Sequence, residues 1–273
     1  MRFADKLLET TRKRDSLLCV GLDTDPGKIP GKLLCEKDPV FSFNKKIIDS
    51  TCDFTAAYKI NTAFYETAGK DGWNSLEKTI SYIPDTVLKI ADVKRGDIGN
   101  TAKKYAEAFL SAIECDAVTV SPYLGFDSVK PFLEYSDKGV FILCLTSNES
   151  SKDFQKLKIE GKPLYHIVAE KVMEWNNGGN CGLVVGATHP DELESIRSIA
   201  PDIPFLIPGI GAQGGDLEKT IYSGTNENGE MVLINSSRGI IYNSRGDDFA
   251  EAARKAAEEL RNEINRLKKN KRD

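Results

Sequence analysis

The stretch VLKIADVKRGDIGNTAKKYAEAFLSAIECDAVTVSP, residues 87–122, decides the fold. It opens with a nearly continuous apolar run, Val87–Lys94, that ends in charged residues. A helical pattern follows over Asn100–Glu114, and a second apolar run occupies Ala117–Pro122. Apolar runs of this length fit strands buried on both faces, as in a parallel sheet. A strand, a helix and a strand in this order form the repeating unit of such a sheet.

The pattern extends in both directions. Toward the N-terminus lie the runs Leu17–Asp23 and Phe54–Ile60. Toward the C-terminus lie Val140–Ser147, Cys181–Gly186, Phe205–Gly209 and Met231–Ser237. Helical patterns intervene, among them Pro163–Trp175 and His189–Ile199. The latter has Thr188 or His189 as its N-cap and Pro190 in its first turn. A last helix begins near Asp247, with Phe249, Ala252, Ala253, Ala256 and Leu260 on one face. Its cationic end, RLKKNKRD, reads as a solvated terminus that frays. Strand and helix alternate eight times, which favours a closed (β/α)₈ TIM barrel, an eight-stranded parallel barrel, over a doubly wound sheet. No Pro/Gly/Ser linker divides residues 1–273, so one domain is expected. The polar segment Asn148–Gly161 reads as a surface loop or short lid, and Gly224–Glu230 as a turn.

Composition narrows the function. The chain has 273 residues and a formal charge of −4, which gives no basic bias toward nucleic acid. No segment reaches the roughly 18 consecutive apolar residues of a membrane span. The N-terminus is charged throughout and lacks the core of a signal peptide. Six cysteines, none in a C-x-x-C pair, read as reduced thiols, so a cytoplasmic protein is expected. Histidine is scarce, only His166 and His189, and both sit in helical patterns. Zinc sites draw on clustered His and Cys, and His is the commonest general acid or base. Any proton chemistry should therefore rest on Lys, Asp or Glu.

Barrel active sites lie at the C-terminal ends of the strands. Polar residues gather there in this sequence. The first run ends in Asp23 and the second in Lys59. The third ends in Asp92 and Lys94, with Asp97 following; residues i and i+2 of a strand share a side, so both can face the mouth. Opposite charges in such a cluster keep each other ionised. The fifth run ends in Thr146 and Ser147, whose hydroxyls can bond a polar ring edge. The seventh runs into PGIGAQGG (208–215), where glycine lets backbone N–H groups approach an anion. The eighth runs into Arg238, which can fork onto phosphate oxygens. Gln213 adds an uncharged donor.

As a set, DVKRGDIGNTA (92–102), VGLDTDP (20–26), AYKINTAFYE (57–66), LTSNESS (145–151), VVGATHPDEL (184–193), PGIGAQGGD (208–216) and NSSRGIIY (235–242) resemble the orotidine 5′-monophosphate decarboxylase family, in its longer branch. The resemblance spans nearly the whole chain. It implies a barrel enzyme that converts OMP to UMP and CO₂ without a cofactor or metal. It implies that Lys94 protonates C6, that Asp92 sits against the substrate carboxylate, and that Lys59 extends the charged network. Asp23 and Lys59 would contact ribose hydroxyls, Ser147 the pyrimidine edge, and Gln213 and Arg238 the 5′-phosphate. Asp97, Ile98 and Thr101 would reach into a neighbouring subunit's site, making a homodimer the working unit. Orotate phosphoribosyltransferase is an implied partner; nucleic acid and membrane are not. The competing expectations are a Mg²⁺-dependent sugar-phosphate decarboxylase or synthase of the same suprafamily, and a catalytically silent phosphate-ligand-binding barrel.

Overall fold

A computed structural model describes residues 1–188, 190–210 and 215–272, the side chain of Arg272 excepted. The strands in chain order are β1 (Leu18–Gly21), β2 (Ala57–Asn61), β3 (Leu88–Arg95), β4 (Ala117–Val120), β5 (Gly139–Leu145), β6 (Lys158–Ile159), β7 (Lys162–Pro163), β8 (Cys181–Val185), β9 (Phe205–Pro208) and β10 (Val232–Ser236). Eight of them close into a parallel barrel in the order β1-β10-β9-β8-β5-β4-β3-β2, while β6 and β7 form a separate antiparallel hairpin. All eight apolar runs fall on barrel strands. The hairpin lies in the polar segment after β5, behind the 3₁₀ turn Glu149–Asp153, so that segment carries structure of its own.

Two buried layers hold the barrel. Side chains pointing inward, including Ala57, Ile90, Phe141, Leu206 and Leu233, fill the lumen. A larger layer between strands and helices includes Tyr58, Phe43, Val118, Ile142 and Phe249. The N-terminal helix Phe3–Lys13 joins the inner layer. Its buried residues Phe3, Leu7 and Thr11 are spaced at i, i+4 and i+8, one face of a helix. Phe3 meets Phe141 edge to face with centroids 5.8 Å apart, and it fills the space that a Cβ on Gly139, the first residue of β5, would need. The helix thus plugs the barrel at the N-terminal ends of the strands. Its charges fasten it: Lys6 Nζ lies 2.5 Å from Asp116 Oδ1, and Arg12 forks onto Glu230 at 2.8 and 2.7 Å. Closing this end leaves the opposite rim as the open one.

Two helical expectations need correction. The helix after β3 runs Gly99–Ala106 and then widens into a π turn over Glu107–Ala112, instead of continuing to Glu114. The cationic C-terminus is helical through Arg272 and docked on the protein at Lys271. The last helix spans Phe249–Arg272, with Ile264 and Leu267 buried. Lys271 Nζ donates to Tyr222 O at 2.8 Å, Thr225 O at 3.0 Å and Thr225 Oγ1 at 2.8 Å. These carbonyls end the helix Leu217–Gly224, where a cation is favoured. Arg197 ties down the same region: its guanidinium donates to the carbonyls of Gly224, Ala200, Ile203 and Met231 and stacks 3.5 Å from the Phe205 ring centroid.

Helix Pro190–Ile199 starts as expected. The N-cap expectation on His189 lies outside the described residues, and the Thr188 hydroxyl has no hydrogen-bond partner among them. His166 Nε2 sits 2.9 Å from Ser195 Oγ, joining two helices as a structural residue. No described helix is long and apolar enough to cross a membrane.

Candidate active site

At the open rim the strand ends surround a cavity of about 420 Å³, within the usual size of small-molecule sites. Asp23, Lys59, Asn61, Asp92, Lys94 and Thr119 line one side. Thr146, Ser147 and Asn148 line another, and Gly209, Ile210, Ser237 and Arg238 a third.

The charged side is an alternating chain. Ser237 Oγ donates to Asp23 Oδ2 at 2.8 Å. Lys59 Nζ lies 3.3 Å from Asp23 Oδ1 and 3.0 Å from Asp92 Oδ2. Lys94 Nζ lies 2.5 Å from Asp92 Oδ1. Burial opposes the charged form of Asp92, but the fields of Lys59 and Lys94 prevail and hold its carboxyl well below the usual carboxylate range. Burial likewise opposes the Lys59 ammonium, and Asp92 and Asp23 outweigh it, raising its pKa. Both groups therefore stay ionised near neutrality. Because the Asp92 pKa is depressed, its contribution to stability is complete above the unfolded carboxylate value. Below that value it declines, and it is lost as pH falls through the lower folded value, while the carboxylate itself stays ionised through mildly acidic pH.

The two lysines differ in access. The Lys59 side chain is 5% exposed, whereas that of Lys94 is 46% exposed and faces the cavity. Lys59 is a largely buried counter-charge at the cavity wall; Lys94 is the more accessible ammonium. Below them the Cys19 thiol, 3.5 Å from Asn235 Oδ1, is pushed up to about 12 by burial and stays protonated.

The backbone that presents Asp92 and Lys94 departs from simple alternation. Ala91 pairs with Val118 and Arg95 with Val120. Asp92, Val93 and Lys94 thus stand opposite Thr119 alone, as a bulge. Lys94 has φ +47°, an uncommon conformation for a residue with a Cβ. The two side chains do meet at the mouth, as their spacing suggested, but a bulge brings them there. A second register shift, at Leu143/Leu145 opposite β8, precedes Thr146 and Ser147. A Cβ on Gly186 would press within 2.9 Å of Ser147, so glycine at the end of β8 makes room for that residue.

Asp23 is braced from behind. Tyr65 OH donates to Leu22 O at 3.0 Å and Tyr242 OH to Asp23 O at 3.2 Å. Asn44, fully buried, bonds Tyr65 OH and Thr24 Oγ1 at 2.8 and 2.6 Å. Gly21 is required here, because a Cβ would fall 1.8 Å from Ser237 Oγ.

Of the sequence-derived residues, Asp23, Lys59, Asp92, Lys94, Ser147 and Arg238 line one cavity. Gln213 lies outside the described residues. Asp97, Ile98 and Thr101 are absent from this lining. Asp97 Oδ1 accepts only the adjacent Ile98 N–H among the described hydrogen bonds, at 2.8 Å, Ile98 is 57% exposed, and Thr101 is exposed. Asp97, half-buried in the turn after the bulge, thus lies outside this chain's own cavity lining. Asn61, Thr119, Asn235 and Ser237 line the cavity but were not singled out as site residues. Their strand-end positions were the available signal. Gln155 was also missed: its Oε1 accepts the Thr146 N–H at 2.7 Å, tying the segment after β5 to the rim.

The chain resembles known proteins over nearly its whole length. A family model described as "Orotidine 5'-phosphate decarboxylase / HUMPS family" matches residues 16–256. An orotidine 5′-phosphate decarboxylase of Dehalococcoides mccartyi strain BAV1 is 54% identical, covering 98% of this chain and 99% of that one. The structure of Leishmania donovani OMP decarboxylase superposes with a TM-score of 0.86 at 40% identity, over 98% of this chain and 99% of that one. Leishmania donovani UMP synthase gives a TM-score of 0.88 at 42% identity over 98% of this chain; the chain spans 57% of that longer protein. The chain belongs to the orotidine 5′-phosphate decarboxylase / HUMPS family.

Proposed function

We propose that the chain converts orotidine 5′-monophosphate to UMP and CO₂. The observation that carries this reading is the Lys59–Asp92–Lys94 array, with Lys94 Nζ 2.5 Å from Asp92 and open to the cavity. Breaking the bond between C6 and the carboxylate leaves an electron pair on C6 and releases CO₂. Asp92 beside the substrate carboxylate is repulsive; two such charges 4 Å apart interact by about 4 kcal/mol at an effective dielectric near 20. Loss of CO₂ relieves part of that. The Lys94 ammonium stabilises the growing negative charge and gives C6 its proton, so a charge arranged in advance does the work. Neutral Lys94 regains its proton from water after product release.

Remote contacts hold the nucleotide. Asp23 and Lys59 bind ribose hydroxyls, Ser147 bonds the pyrimidine edge, and Gln213 and Arg238 grip the 5′-phosphate. Arg238 is exposed, lines the cavity and forms no ion pair among the described residues, which suits a cation waiting for an anion. Arg238→Ala should raise KM for OMP by about 10- to 100-fold, the scale of one or two charge-assisted bonds, with a smaller change in kcat. An unchanged KM would remove the phosphate role.

That Asp97, Ile98 and Thr101 are absent from this chain's own cavity lining, with Ile98 and Thr101 exposed, supports a homodimer in which these residues complete the partner's site. The likeness to a UMP synthase supports orotate phosphoribosyltransferase as a further partner. Six free thiols support a cytoplasmic setting. The Mg²⁺-dependent alternative is disfavoured because the carboxylates of Asp23 and Asp92 are already bonded to lysine. The deciding assay follows OMP absorbance with purified protein in EDTA. Turnover is expected to be unaffected by the chelator; no turnover, or turnover restored only by Mg²⁺, would contradict the reading.

A further inference from the structure

We propose that Thr119 is a positioning residue for this reaction, setting the geometry between Asp92 and Lys94. The inference rests on the reading of Lys94 as proton donor. Three residues of β3 stand opposite this single residue of β4, so the bulge breaks the ladder that would otherwise hold the backbone there. Thr119 supplies the missing bonds from its side chain. Its Oγ1 accepts the Lys94 N–H at 2.9 Å and donates its own proton to Asp92 Oδ1 at 2.9 Å.

One hydroxyl thus fixes both ends of the pair. The bond to Lys94 N–H holds the residue at φ +47°, a conformation that its neighbours must enforce. The bond to Asp92 falls on the oxygen that also faces Lys94 Nζ, and it sets the carboxylate plane. Lys94 has a long flexible stem, so its ammonium position depends on where its backbone and Asp92 hold it. Thr119 itself is rigid: it is 1% exposed, β-branched, and set in strand register with Phe141 of β5. Its orientation also leaves the hydroxyl nothing further to give. It has one proton, spent on Asp92, and it accepts from Lys94.

Thr119→Val preserves shape and removes both bonds. With the catalytic groups displaced by a fraction of an ångström, kcat should fall about 10- to 100-fold. KM and the dissociation constant for UMP should change by less than about threefold, because Thr119 is assigned no contact with ribose or phosphate. Thr119→Ser keeps the hydroxyl and should return kcat to within about threefold of the parent. A purely structural threonine would give no such split between kcat and UMP affinity. Wild-type kcat in Thr119→Val, or a serine variant as slow as the valine one, would overturn the proposal. If the valine protein melts below the assay temperature, Thr119→Ala against Thr119→Ser carries the same comparison. Lys94→Ala, assayed in parallel, separates the two failures. An active Lys94→Ala protein refutes Lys94 as donor. An inactive one beside a fully active Thr119→Val refutes only the role of Thr119.

Discussion

Replacing Lys94 by alanine is expected to lower kcat by about 10⁴-fold or more, the combined scale of a lost general acid and a lost preorganised charge. The substitution removes the ammonium that faces the cavity and leaves Asp92 with Lys59 as its one lysine partner. It also removes the side chain from a backbone position at φ +47°, where alanine is as strained as lysine; the cost to the fold is the lost ion pair on Asp92, which keeps Lys59 as its counter-charge. UMP binding should persist, because the proposed phosphate and ribose contacts lie elsewhere. Calorimetric titration with UMP beside an absorbance assay checks both halves. Robust turnover would exclude Lys94 as the proton source. Lys59 does not replace it, because Asp23 and Asp92 hold its ammonium on the ribose side of the proposed site.

The second large effect concerns the shared site. Asp97→Ala and Lys94→Ala proteins should each be nearly inactive. Mixed in equal amounts, unfolded and refolded together, they should recover activity. Random pairing of two subunit types makes half the dimers mixed, and each mixed dimer holds one intact site of two, giving about a quarter of parental activity. The intact site takes Lys94 from one protomer and Asp97 from the other. Activity that stays at the level of the separate variants, with mixed dimers demonstrated by mass spectrometry, would mean that Asp97 serves its own chain or no site at all. The absence of Asp97 from its own chain's cavity lining and the exposed Ile98 favour recovery.

The barrel was legible because its eight strands are buried on both faces. Burial leaves nearly unbroken apolar runs, and these stand out from amphipathic helices. The rim charges were legible for the complementary reason: Asp23, Lys59, Asp92 and Lys94 interrupt such runs where little but function favours a charge. The N-terminal plug was not, since Phe3 and Leu7 are only two apolar contacts among charges, and those charges read as solvent-facing until Asp116 and Glu230 appear opposite them. The docked C-terminus was hidden likewise, because the carbonyls that Lys271 caps belong to a helix some 50 residues earlier. The bulge of β3 escaped notice because register is a property of two strands. Strict alternation placed Asp92 and Lys94 correctly but missed Thr119, whose role depends on what it faces across the ladder.

The account turns on where a fixed ammonium meets the reacting carbon. A crystal structure with UMP bound measures this directly. Lys94 Nζ should lie within hydrogen-bond reach of C6, about 3 Å, with Asp92 beside the space vacated by the carboxylate and the phosphate at Arg238. A nucleotide seated in the cavity with C6 far from Lys94 and Asp92 would contradict it.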